Sequence, residues 1–319
     1  MREGFIKQGV PESAVEVMLS SISENTKSQY SSSLKQWWEY TKNKKCDFYD
    51  VSLESLLDFL TECMKSGSSY GTLNNHRSAI SLISSNKIGQ NDTIKRFFKG
   101  VFKLRPSFPR YNFTWNPNVV LNYVETLFPN ESISLQDLTK KLVILLALAT
   151  GQRIQTISLI KTKNIYTFTD RIVITITDLI KTSGVGRQQP TLNLPFFTQR
   201  PAICPASCLQ TYIKTSELRR TSNVANLLLT YKKPYYRAAT TQTIRRWVKD
   251  ILESSGIDTT IFNAHSTRHA STSAASRAGV SLDIIRKCAG WSEQSETFAN
   301  FYNRPVLDCN PSLINIEDE

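Results

Sequence analysis

The sequence predicts a mainly α-helical protein of two domains with one small antiparallel sheet. Three observations lead there. Apolar residues recur at helical spacing over most of the chain; one β-branched alternation, Arg171 to Thr177 (RIVITIT), departs from that pattern; and a proline pair, Pro106 and Pro109, separates two periodic blocks. At 319 residues the chain has the length of two domains. A helical domain is expected at 1–107 and a larger domain at 108–319.

In the first block, Tyr30, Leu34, Trp37 and Trp38 recur at helical spacing, as do Leu53, Leu56, Leu57 and Leu60. Ser52 ahead of Leu53 is a helix-start signal, and Ser69 to Thr72 is another before Leu73 to Ile83. Gly67 and Gly71 punctuate the segment, and four or five helices are expected from Pro11 to Lys103. The second block opens with helical signals at Asn116 to Phe128 and Leu135 to Ala149. RIVITIT then reads as a strand with Lys181 at its end, Gly184-Val185-Gly186 as a turn, and Thr191 to Leu194 as the returning strand of a hairpin. Helices resume at Cys208 to Thr215, Thr241 to Ser254, Ser271 to Arg277 and Ser281 to Cys288.

Lys and Arg number 39 against 27 Asp and Glu, a net charge of +12 that suits a polyanionic partner, nucleic acid first. Between Lys65 and Arg110, nine basic residues stand with one acid, Asp92. Arg77, Lys95, Arg96, Lys99, Lys103 and Arg105 from this stretch are the candidates for contact with a DNA backbone, where neutralised phosphates release counterions. A solvated helix face followed by a basic linker is the plainer alternative. The longest apolar run, Leu142 to Ala149, has eight residues where a spanning helix needs about 20, so no membrane partner is expected. No apolar segment of a secretory signal follows Met1, and the chain is expected to stay inside the cell. Among the six cysteines only Cys204 and Cys208 lie close together, with no CxxC and no nearby histidine, so reduced thiols and no zinc are expected. Gly184-Val185-Gly186 lacks the third glycine and the following helix of a phosphate-binding loop, and no cofactor is expected.

The chain has three histidines, His76, His265 and His269, and two of them share the string His265-Ser266-Thr267-Arg268-His269. On a helix His265 and Arg268 share a face and His269 lies close by, which converges N–H donors as a phosphate requires. Taken alone, the string also fits two capping side chains and a salt bridge. Its company is more telling. Arg153 closes Ala149-Thr150-Gly151-Gln152-Arg153 after the most apolar helix, and Ala289-Gly290-Trp291 precedes Phe298-Ala299-Asn300-Phe301-Tyr302. This ordered set of Arg153, Lys181, HSTRH, AGW and Tyr302 resembles the tyrosine recombinase (phage-integrase-like) family. Within it, the set is most similar to recombinases of eukaryotic mobile elements such as Cryptons and DIRS-like retrotransposons. The resemblance spans residues from about 115 to 306, and the helical block before it matches the family's SAM-like core-binding domain in character.

The resemblance implies a two-domain DNA clamp: a site-specific recombinase or integrase that cuts and rejoins double-stranded DNA through a 3′-phosphotyrosyl link, without metal, ATP or other cofactor. It further implies a homo-tetramer in the synaptic complex and action in the nucleus. Tyr302 would be the nucleophile. A phenol of ordinary pKa near 10 needs a base and a positive field to attack a phosphodiester, and Arg153 and Arg268 would supply the field by holding the non-bridging oxygens. Lys181 would protonate the departing 5′ oxygen, and His265, of ordinary pKa near 6.5, would move protons. Trp291 stands where many relatives carry His and would donate one N–H to phosphate; His269 would buttress the site. Thr156 departs from the family, which usually places an acid there. The segment Leu307 to Glu319 is a candidate for docking on a neighbouring subunit. Two alternatives belong beside this reading: a captured DNA-binding protein with an idle active site, and strand relaxation without exchange, as in type IB topoisomerases.

Overall fold

The computed structural model describes every residue except Lys87, Ser222, 232–235, 293–294, 297–301 and 308–319. The predicted Phe298–Phe301 segment, Cys309 and the tail beyond Leu307 therefore lie outside the described residues. The chain divides into two compact units, Met1–Pro109 and Arg110–Glu319.

The first unit is helical: α1 (Arg2–Lys7), α2 (Glu12–Ser20), α3 (Glu24–Lys44), α4 (Leu53–Lys65), α5 (Tyr70–Ser81) and α6 (Asp92–Leu104). Four helix starts are fixed by side chains that accept otherwise unpaired backbone N–H groups: Ser23, Ser52, Ser69 and Asn91. Gly67 turns the chain after α4 with φ +101°, whereas Gly71, expected to mark a break, lies inside the first turn of α5. Trp37, Leu56, Leu60, Leu73, Ile80 and Ile94 fill the core, each large apolar side chain contributing about 1.5–3 kcal/mol on burial. His76 packs edge-on against Phe59 in this core and belongs to no catalytic cluster.

The second unit is built around α8 (Leu135–Thr150), which buries Leu138, Leu142, Val143, Ile144, Leu145, Leu146 and Ala147 on all sides, as an apolar central helix must. Around it lie α7 (Pro117–Thr126), α9 (Ile154–Ser158), α10 (Pro205–Ser216), α11 (Thr241–Ser254), α12 (Ser266–Arg277) and α13 (Leu282–Ala289). β1 (Thr114–Trp115) pairs in parallel with β5 (Val306–Leu307). The sheet has three antiparallel strands, β2 (Ile165–Thr167), β3 (Arg171–Thr175) and β4 (Thr191–Pro195), in that order. Ile172 faces Leu194 and Ile174 faces Leu192, all four buried, while Thr191 and Asn193 point to water. The expected hairpin is thus the centre and edge of a larger sheet, and β3 stops at Thr175, leaving Lys181 in the β3–β4 loop instead of at a strand end. Among the described residues no helix is long and apolar enough to cross a membrane.

Candidate active site

The site forms where the ends of α8 and α13 meet the start of α12. Gly151 ends α8 in the left-handed region (φ +59°), and an added Cβ there would approach Thr272 Cγ2 to 3.2 Å, so the position is restricted to glycine by both backbone and space. Gly290 ends α13 the same way (φ +69°). Gln152, directly after Gly151, donates through Nε2 to the carbonyl of Cys288 at 2.6 Å and ties the two helix ends together. Arg153 follows as the N-cap residue of α9. On α12, the buried Ser266 accepts a hydrogen bond from Trp115 Nε1 at 2.9 Å, which anchors the start of the helix to β1.

Arg268, only 1 % exposed, is the largest charged group in this interior. Its Nη1 donates to the carbonyls of Gly151 (2.8 Å) and Ala289 (2.6 Å), the closing residues of α8 and α13, where a cation also favours both helix dipoles. Trp291 lies against its guanidinium at 3.8 Å. Among the described residues Nε and Nη2 have no acceptor at hydrogen-bond geometry, although Tyr302 lies close enough to act on the group. Burial, and next the positive charge of Arg153, hold the Arg268 pKa down to about 9, with Tyr302 opposing. The guanidinium therefore remains charged at neutral pH. A buried cation with unused N–H donors is arranged for an anion.

Tyr302, 9 % exposed, is placed by the same helix. Its Oη lies 2.8 Å from His265 Nε2. His269 stacks on the phenol ring with centroids 4.2 Å apart and planes 14° apart, and Trp291 meets it at 4.8 Å and 63°. His265, the N-cap residue of α12, is open to solvent on one side, yet its ring is recessed among protein atoms and cations. Burial first, then Arg268, Arg153, Arg245 and Lys181, push its pKa down to about 4. The ordinary value near 6.5 expected from the sequence does not hold in this surrounding. With the ring neutral, a tautomer protonated on Nδ1 leaves Nε2 to accept from the phenol.

The structure thus brings together Arg153, His265, Arg268, His269, Trp291 and Tyr302, with Lys181 exposed on the β3–β4 loop and near enough to act on His265. Trp291 serves at least as packing, clamped between Arg268 and Tyr302. Thr156 is buried in α9, one turn from Arg153. Arg245 on α11 is a cation of the site that the sequence did not single out; an exposed arginine pair, Arg245-Arg246, on an amphipathic helix carries no local signal of its own.

In the first unit, Arg77, Lys95, Lys99 and Lys103 line one open groove with Tyr70, Phe98 and Phe102. Lys95, Lys99 and Lys103 recur every four residues along α6 and share its face. Arg77 rests over the Phe98 ring at 5.0 Å. Arg96 and Arg105 are exposed but do not line the groove.

Residues 120–306 match the family model described as Phage integrase family, and residues 18–82 match the Phage integrase, N-terminal SAM-like domain. The chain belongs to the phage integrase family. No curated protein matches it. Among solved structures, this phage integrase family member is similar to XerH site-specific recombinase bound to a palindromic difH substrate in a post-cleavage complex. That likeness has a TM-score of 0.60 and 17% identity over 86% of this chain and 75% of that one. It is also similar to a lambda integrase dimer bound to a COC' core site (TM-score 0.52, 16% identity, 90% and 74% covered). A third is the Tn1549 transposon integrase in complex with circular intermediate DNA (TM-score 0.53, 15% identity, 84% and 94% covered). At such identities the likeness is one of fold: a SAM-like helical domain followed by the mostly helical integrase domain with its small antiparallel sheet.

Proposed function

We propose that the chain is a site-specific DNA recombinase that cuts and rejoins duplex DNA through a 3′-phosphotyrosyl intermediate. One observation carries the reading: Tyr302 Oη sits 2.8 Å from the imidazole of His265, beside a buried arginine whose Nε and Nη2 have no acceptor at hydrogen-bond geometry among the described residues. A base within reach of a hydroxyl, and cationic donors aimed where phosphate charge would develop, are what an activated nucleophile needs.

In this mechanism the phenolic proton passes to His265 Nε2 and Tyr302 Oη attacks the scissile phosphorus. Arg153 and Arg268 hold the non-bridging oxygens and take up the charge of the pentacoordinate state. The P–O5′ bond breaks, its electron pair leaves with the 5′ oxygen, and Lys181 on its loop supplies the proton. The products are a 3′-phosphotyrosine and a free 5′-hydroxyl. A 5′-hydroxyl from a second strand reverses the steps, and because the phosphodiester bond energy is kept in the tyrosyl link, no ATP is needed. The guanidiniums supply the positive charge, so the scheme calls for no divalent ion. The groove of Arg77, Lys95, Lys99 and Lys103 would take backbone phosphates. The fold shared with a transposon integrase supports a mobile-element recombinase; the Crypton or DIRS-like kind, action in the nucleus and four protomers on two DNA sites rest on the resemblance of the Arg153, Lys181, HSTRH, AGW and Tyr302 set.

The test is incubation with EDTA and a duplex chosen from a randomised pool by the protein's own binding, followed by a denaturing gel for covalent adducts, beside Tyr302→Phe. A metal-independent adduct that vanishes in the variant is expected. Tight binding with no adduct under any condition would leave a DNA-binding protein without strand transfer.

A further inference from the structure

Besides the residues already placed, α12 presents Ser273, fully buried and one turn beyond His269. Its Oγ donates to the carbonyl of Tyr302 at 2.6 Å and accepts from the backbone N–H of Arg304 at 3.1 Å. His265, His269 and Ser273 are spaced i, i+4, i+8, so they form one row along the helix. Tyr302 lies along that row: its hydroxyl on His265, its ring on His269 and its carbonyl on Ser273. The residues after the tyrosine are fastened as well. Arg304 donates to the carbonyl of Tyr111 and lies over its ring at 4.7 Å, and Thr114 N–H donates to the carbonyl of Pro305 at 2.8 Å. Those contacts restrain the segment, and among the described residues Ser273 is the side chain that bonds to the backbone of the tyrosine itself.

We infer that Ser273 is the positioning residue of the nucleophile: its hydroxyl, bonded to both residues 302 and 304, sets the height of the phenol along α12 so that Oη meets His265 and the attacked phosphorus. The phenol ring is rigid and packed between His269 and Trp291, so a backbone shift at Tyr302 is carried to Oη, and a misplacement of about one ångström costs about 100-fold in rate. The inference rests on Tyr302 being the nucleophile.

Ser273→Ala and Ser273→Thr separate positioning from mere stability. With the selected duplex, Ser273→Ala should form the covalent adduct about 100-fold more slowly in a single turnover, with Kd for the duplex within about twofold. Ser273→Thr, which keeps the hydroxyl, should restore most of the rate. Hydrogen peroxide supplied as an exogenous nucleophile bypasses the tyrosine, so peroxide-supported nicking should be equal in Ser273→Ala and Tyr302→Phe. Adduct formation by Ser273→Ala at the wild-type rate overturns the inference, as does loss of peroxide-supported nicking in step with the adduct, which marks collapse of the whole site. If the wild-type protein itself forms no adduct, the recombinase reading fails first.

Discussion

Lowering the pH should leave His265 neutral long after an ordinary histidine has charged. Its surroundings hold the pKa at about 4 against an ordinary 6.5, so at pH 6.5 the protonated fraction is about 0.3 % instead of one half. Because the folded-state value is depressed, the unfolded chain binds the extra proton: this contribution to stability is complete above pH 6.5 and is lost as the pH falls toward 4. The full difference is ~3 kcal/mol, and the solvent contact of a residue more than a third exposed reduces it to roughly 1–2 kcal/mol. Ring-carbon NMR resolves the titration, since His76 and His269 are the only other histidines and each can be assigned by substitution. Arg245→Ala should move the midpoint upward by removing one cation, and bound duplex should move it further by placing phosphate among the remaining ones. A His265 midpoint of 6 or higher in the free protein would refute the cationic-pocket argument.

Arg268→Lys keeps the charge but not the planar guanidinium with its further Nε and Nη2 donors, and single-turnover cleavage should fall by about 10²–10³, with Tm lowered as the carbonyls of Gly151 and Ala289 lose the Nη1 donor. Gly151→Ala forces a side chain into the left-handed region and against Thr272; chemical denaturation should show a loss of about 1–2 kcal/mol. Lys99→Glu should weaken duplex binding evenly across sequences and reduce the slope of log Kd against log salt by about 1, whereas no change in slope would remove the groove from the DNA contact surface.

The parts legible in the sequence are those set by local rules. The start and end of α11 match the expected Thr241 to Ser254 because Thr240 caps it and its apolar residues keep strict helical spacing. The Ser52 and Ser69 caps were readable for the same reason. What escaped depends on residues distant in sequence. β1 and β5 are two residues each and exist only because their partners lie across the unit, and β2 is three residues without an alternation of its own. The pKa of His265 is likewise set by burial first and then by Arg268, Arg153, Arg245 and Lys181, the last three of which sit on other elements. Ser273 had a signal in its spacing from His265, yet nothing in the chain order says that the carbonyl of Tyr302 comes to meet it.

The dual duty of Arg268 changes what its presence in a sequence can testify to. A guanidinium that staples the ends of α8 and α13 would be kept in a descendant that had given up cutting DNA, because discarding it would loosen the fold. Lys181 has no such tenure: it is exposed on a loop and makes no ion pair among the described residues. Drift would erase that lysine early and the arginine late, so in judging whether a chain of this kind still works as an enzyme, the solvent-facing lysine is the more informative witness.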